Sequence, residues 1–228
     1  MTNLLLLHGA LGSAALFDPL ASKLESDYTV HRINFAGHGG EPFPEGGYSM
    51  PHFGQNVLAY LDAQQINQIN IFGYSMGGYV ALWLAHNHPD RIGKIFTLAT
   101  KFAWSPESAA QEGKMLNADK IAEKVPKFAA ALEARHAPLD WRQVLSHTKD
   151  MMEGLGANPL LTEETLKTIP HDCLIAVGDQ DQIVSREETM HAAQVLPKGK
   201  FACMANTPHP LEKVDTARLA QWIREFIG

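Results

Sequence analysis

Gly73-Tyr74-Ser75-Met76-Gly77 is the stretch of this sequence best suited to covalent chemistry. A serine with a glycine two residues away on each side can sit on a turn too tight for flanking Cβ atoms. Alone the pattern is weak, since on the order of one chain in ten carries it by chance at ordinary glycine and serine abundance. Its setting raises its value. The apolar run Ile69–Phe72 precedes it, and an apolar helical stretch opens at Met76. Strand, sharp turn and helix in that order lift the serine hydroxyl above the carboxyl edge of a sheet, as a nucleophile elbow does.

A serine hydroxyl is inert at neutral pH, so it needs a base, and the base needs an orienter. The chain has eleven histidines, so composition does not choose among them. Position does. His209 follows the last apolar run, 200–205, in the loop Asn206-Thr207-Pro208-His209-Pro210. The acid candidates follow the preceding run, in Gly178-Asp179-Gln180-Asp181-Gln182, where Asp179 and Asp181 both fit. Open α/β sheets place their sites in such loops, at the carboxyl ends of the strands. The first apolar run ends in His8-Gly9-Ala10-Leu11-Gly12-Ser13, which predicts a loop beside the elbow. There the backbone N–H groups of Ala10 and Met76 could converge on one oxygen and stabilise an oxyanion. Met76 also opens a helix, where the dipole favours negative charge. A phosphate-binding loop is disfavoured, because neither of its glycine signatures is present.

The elements that must position these residues are legible as apolar runs alternating with helical patterns, the mark of a parallel sheet covered on both faces. Strands are expected at 3–8, 28–35, 69–74, 94–99, 172–177 and 200–205, and helices at 13–25, 49–64, 76–87, 185–196 and 211–227. Leu219, Trp222, Ile223, Phe226 and Ile227 recur at helical spacing, which gives the last helix one apolar face. Residues 101–170 break the alternation. Cap signals at Ser105, Asp140 and Thr162, with prolines at 126, 138 and 159, predict three or four short helices there.

Composition narrows the class. The chain has 228 residues, 45% hydrophobic and 19% charged, which suits one globular domain with a small insertion. A net charge of −6 argues against a nucleic-acid partner and an anionic membrane surface. No apolar run is long enough to span a bilayer, and the first residues lack the basic start of a signal peptide, so a cytoplasmic location is expected. Cys173 and Cys203 read as reduced thiols in apolar runs. No metal or nucleotide motif is visible, and no cofactor is expected.

Together these segments resemble the α/β-hydrolase fold superfamily over nearly the whole chain. The resemblance rests on His8-Gly9, Gly37-His38-Gly39, the elbow Gly73–Gly78, His88-Pro89-Asp90-Arg91-Ile92, Gly178-x-x-Asp181 and His209. The order Ser, Asp, His also matches. The resemblance implies a core of residues 1–100 and 171–228, with a sheet of about six mainly parallel strands and helices on both faces. It implies a helical lid over 101–170. It implies Ser75 as nucleophile, His209 as base and Asp181 as orienter, preferred over Asp179 as the fourth residue of Gly-x-x-Asp. Three departures stand out. The chain begins at what is usually the family's third strand, Asn34-Phe35-Ala36 stands where an aspartate is common before Gly-His-Gly, and Pro208 replaces a frequent glycine.

The leading expectation is a serine hydrolase acting on a small carboxylic ester or thioester through an acyl-enzyme. Tyr74, Phe102, Trp104 and Trp141 are candidates for lining its pocket. His8 and His38 are expected to shape loops near the site. The same residues would also serve a carbon–carbon bond hydrolase or a lyase, or a ligand receptor that retains the three side chains, because fold alone does not separate these. A small-molecule substrate and a monomer or homodimer are expected.

Overall fold

The computed structural model describes all residues, Met1–Gly228. Six strands form one sheet: β1 Thr2–Leu7, β2 Tyr28–Arg32, β3 Ile69–Tyr74, β4 Ile92–Leu98, β5 Cys173–Gly178 and β6 Gly199–Met204. Their order is β2-β1-β3-β4-β5-β6, and every pairing is parallel. Side chains alternate between the two faces of a strand, and here both faces are covered. In β1, Leu5 and Leu7 join one core while Leu4 and Leu6 join the other. The first core is closed by α2 Met50–Ala63, α3 Met76–Asn87 and α9 Arg186–Val195, and the second by α1 Asp18–Leu24 and α10 Thr216–Ile227.

The direction of winding sets the place of the site. From β1 the chain moves outward to β2, then crosses back to β3 on the other side of β1. Loops leaving β1 and β3 therefore diverge at their carboxyl ends and open a crevice between them, the usual ligand position in such sheets. The β1 loop carries Ala10 and the β3 loop carries Ser75.

Five helices lie between β4 and β5: α4 Pro106–Lys114, α5 Ala118–Lys124, α6 Pro126–His136, α7 Trp141–Ala157 and α8 Glu163–Lys167. That is one or two more than the sequence reading expects. The missed boundary is Asn117, whose side chain accepts the Lys120 N–H at 2.8 Å and starts α5. Three other elements are shorter than expected. The 13–25 stretch breaks into a 3-10 turn, Ala14–Phe17, before α1. Strand β2 stops at Arg32, and the Phe35 N–H donates to the His8 ring instead of to a strand. The last helix starts at Thr216, where Asp215 caps it through the Ala217 and Arg218 amides. No helix is long and apolar enough to cross a membrane.

Candidate active site

Ser75 sits between β3 and α3 with φ 50° and ψ −115°, a conformation that costs a non-glycine residue about 1–3 kcal/mol. The surroundings hold it there. Its N–H donates to the Leu98 carbonyl at 2.8 Å, and its own carbonyl accepts from the Gly78 N–H at 3.0 Å and the Thr100 hydroxyl at 3.0 Å. The turn closes only without side chains beside it. A Cβ on Gly73 would strike Gly78, and one on Gly77 would strike the Leu7 carbonyl of β1.

His209 and Asp181 meet across the ends of β6 and β5. His209 Nδ1 lies 2.7 Å from Asp181 Oδ2. A carboxylate only accepts, so Nδ1 of His209 carries a proton, and in the neutral imidazole Nε2 keeps its lone pair. Asp181 Oδ1 accepts from the Ile183 N–H at 2.8 Å and the Val184 N–H at 2.9 Å. The Asp181 side chain is 1% exposed. Burial alone would raise its pKa. The hydrogen bond and charge of His209, with the two amides, outweigh burial and hold the carboxyl below the ordinary aspartate range. Asp179 is turned to another task. It accepts the Thr207 N–H at 3.1 Å and shapes the loop that carries His209. Tyr74, next to the serine, secures the same loop by donating its hydroxyl to the His209 carbonyl at 2.6 Å.

Ser75 and His209 line one cavity of about 280 Å³ with mainly apolar walls. A second, smaller cavity of about 40 Å³ lies against Ser75, bounded by Ala10, Met50, Met76, Tyr79 and Met151. Of the four aromatic candidates, Tyr74 and Trp104 line the larger cavity. Phe102 and Trp141 do not. Phe102 packs on the main core and donates its N–H to Glu188 at 2.9 Å. Trp141 is 4% exposed and sealed in a cluster with Ile121, Leu132 and Leu145. Packing among the inserted helices, which a linear pattern does not display, decides between these rings.

The sequence reading missed the charged wall of the larger cavity. Lys101 and Glu112 pair at 3.6 Å, and Arg135 and Glu212 pair at 3.1 Å. Lys101 follows β4 as His209 follows β6, and that position was the available signal. Nothing local marks Arg135. His8 does shape a loop: its Nδ1–H donates to the Gly9 carbonyl at 2.8 Å, and its Nε2 accepts the Phe35 N–H at 3.2 Å. Complete burial favours the neutral ring and lowers the His8 pKa to about 4. His38 is buried beside it and stacks on Tyr48. No group of three or more His, Cys, Asp or Glu gathers as a metal site.

Comparison with known proteins agrees with this architecture. The family model described as alpha/beta hydrolase fold matches residues 2–129. A pimeloyl-(acyl-carrier protein) methyl ester esterase of Aeromonas hydrophila is 32% identical over 154 residues, 62% of this chain and 59% of that protein. The chain thus matches under two thirds of that relative's length. A 2-hydroxymuconate semialdehyde hydrolase of Pseudomonas putida is 24% identical, covering 98% of this chain and 86% of its own. A solved hydrolase structure from Pseudomonas aeruginosa superposes with a TM-score of 0.80 at 19% identity, covering 100% of this chain and 90% of that one. With the family's model matched over more than half of this chain, on an all-parallel sheet whose strands carry these loops, this chain belongs to the α/β-hydrolase fold family.

Proposed function

We propose that this protein is a serine hydrolase that cleaves a small carboxylic ester or thioester through an acyl-enzyme. The observation that carries the reading is the 2.7 Å bond to the buried Asp181 side chain from His209, which lines the same cavity as Ser75. Ser75 attacks the acyl carbon while His209 Nε2 takes its proton. Asp181 keeps the imidazole in the required tautomer and stabilises the imidazolium. The backbone amides of Ala10 and Met76, residues that line the smaller cavity with Ser75, receive the developing oxyanion. The imidazolium then protonates the leaving alcohol or thiol. Water, activated by His209, releases the acid and restores Ser75.

Residues 101–170 form the lid in this reading, and 1–100 with 171–228 form the core. Trp104, Met115, Leu116 and Met152 put the lid against the larger cavity. Its apolar walls suit a hydrocarbon acyl or alcohol part. The methyl ester named for the Aeromonas hydrophila relative supports a carboxylic ester as the bond cleaved.

The test is active-site labelling. A fluorophosphonate should modify one residue, Ser75, and Ser75→Ala should abolish both labelling and cleavage of p-nitrophenyl esters. Labelling of Ser75→Ala at another serine would remove Ser75 from the role. Cleavage of a vinylogous diketone with no ester turnover would move the chemistry to a carbon–carbon bond.

A further inference from the structure

Residues Gly9–Gly12 form a turn closed by the Gly12 N–H donating to the Gly9 carbonyl at 3.1 Å. Leu11, the third residue, has φ 59°, a conformation that such turns ordinarily give to glycine. Two things hold a leucine there. Its side chain packs against both the main core and the α5–α7 cluster. Its carbonyl accepts two hydrogen bonds from the last turn of α6, at 2.8 Å from Arg135 Nη1 and at 3.1 Å from His136 Nε2. The fully buried His136 accepts the Gly39 N–H on its other nitrogen at 3.1 Å, which leaves its one proton on Nε2, facing Leu11. Arg135 also reaches Glu212 at 3.1 Å, three residues past His209.

A trans peptide unit is planar, so its C=O and N–H point in opposite directions. The Leu11 carbonyl and the Gly12 N–H belong to one unit. The Gly9 carbonyl and the Ala10 N–H belong to another. Holding the Leu11 carbonyl toward α6 turns the Gly12 N–H toward the Gly9 carbonyl. Holding the Gly9 carbonyl, which His8 also grips at 2.8 Å, turns the Ala10 N–H the opposite way. We propose that Arg135 and His136 are positioning residues that aim the Ala10 amide through these two peptide planes. The inserted helices are then a working part of the oxyanion hole as well as a cover. The proposal rests on the ester-hydrolase reading for the task it gives Ala10, whereas the relay itself is a matter of geometry.

Two measurements on one set of variants separate those parts. The first is kcat and KM on a p-nitrophenyl ester, per fluorophosphonate-titrated site, so that only folded enzyme counts. The second is amide hydrogen exchange at Gly12. Arg135→Met should lower kcat about tenfold or more with KM within about twofold, because a misaimed donor is lost in the transition state. It should also speed Gly12 exchange about tenfold. Arg135→Lys, which keeps a donor for Leu11, should bring both back to within about threefold of wild type. Arg135→Gln takes the place of Arg135→Met, with the same thresholds, if the methionine variant does not fold. Gly12 exchange at the wild-type rate in the neutral variant overturns the relay, whatever happens to kcat. Faster exchange with unchanged kcat overturns its catalytic role. A wild type that cleaves no ester sinks the hydrolase reading, and the relay is then judged by exchange alone.

Discussion

Replacing Asp181 by asparagine keeps the shape of the side chain and removes one acceptor, so its effect follows from hydrogen bonds already described. Asp181 accepts three: His209 Nδ1–H on one oxygen, and the Ile183 and Val184 amides on the other. Asparagine has one acceptor oxygen and one NH₂ group. With the oxygen toward the two amides, two bonds survive and the NH₂ faces His209. With the oxygen toward His209, one bond survives and the NH₂ is pressed against the Ile183 and Val184 N–H donors. The first arrangement is favoured by roughly 2–3 kcal/mol, one bond plus the unsatisfied amide of the buried Val184. It obliges Nδ1 to accept, so the imidazole proton moves to Nε2 and the base is lost. Holding the wrong tautomer at that cost lowers the rate roughly 30- to 150-fold. Losing the carboxylate charge opposite the imidazolium removes about 2–3 kcal/mol more, for a combined loss on the order of 10³–10⁴-fold. Asp179→Asn keeps an oxygen for the Thr207 N–H and should stay within about threefold of wild type. The assay is kcat on p-nitrophenyl acetate per titrated site, with the melting temperature as a folding control. An Asp181→Asn enzyme within about tenfold of wild type, or an Asp179→Asn enzyme equally crippled, would take the orienting role from Asp181.

Three further outcomes are expected. Stability should depend on His8: its folded pKa of about 4 lies below the ordinary 6.5, so between those values the unfolded chain binds the extra proton. Its contribution is then full above pH 6.5 and falls by about 3 kcal/mol as pH drops to 4. Urea titrations of wild type and His8→Asn should differ most near pH 7 and converge on acidification; a gap independent of pH would contradict this. At position 75 the usual preference for alanine over glycine should reverse, since φ is 50°, and Ser75→Gly should be more stable than Ser75→Ala by about 1 kcal/mol in thermal unfolding. Trp141→Ala should cost about 3–5 kcal/mol of stability through the cavity it leaves, whereas Trp104→Ala should chiefly raise KM for bulky esters. Equal effects of the two on KM would place Trp141 at the substrate after all.

The sheet was legible because its strands are covered twice. Leu4–Leu7 reads as an unbroken apolar run and Ile69–Phe72 as one interrupted only by Asn70, as a parallel strand packed on both faces needs. The elbow was legible because its glycines are sterically required. His209 emerged from chain order, as the loop after the last strand. Asp179 and Asp181 stayed level on their residues, since a loop of two aspartates does not reveal which one meets the histidine; 2.7 Å does. The α4–α8 helices were the least legible part. Their apolar faces pack on one another, so Trp141 and Trp104 look alike in sequence and differ in space. Leu11, Arg135 and His136 had no local signal, because a leucine with φ 59° is selected by contacts 124 and 125 residues away.

In the proposed mechanism Ser75, His209 and two amides meet around one tetrahedral centre. A crystal structure of the enzyme inhibited by a small alkyl phosphonate tests it most directly. Phosphorus should be bonded to Ser75 Oγ, with one phosphonyl oxygen about 2.7–3.1 Å from both the Ala10 and Met76 nitrogens. His209 Nε2 should lie within hydrogen-bond reach of Oγ or of the leaving position. An adduct on another residue, or one on Ser75 whose oxygens point away from both amides, would contradict it.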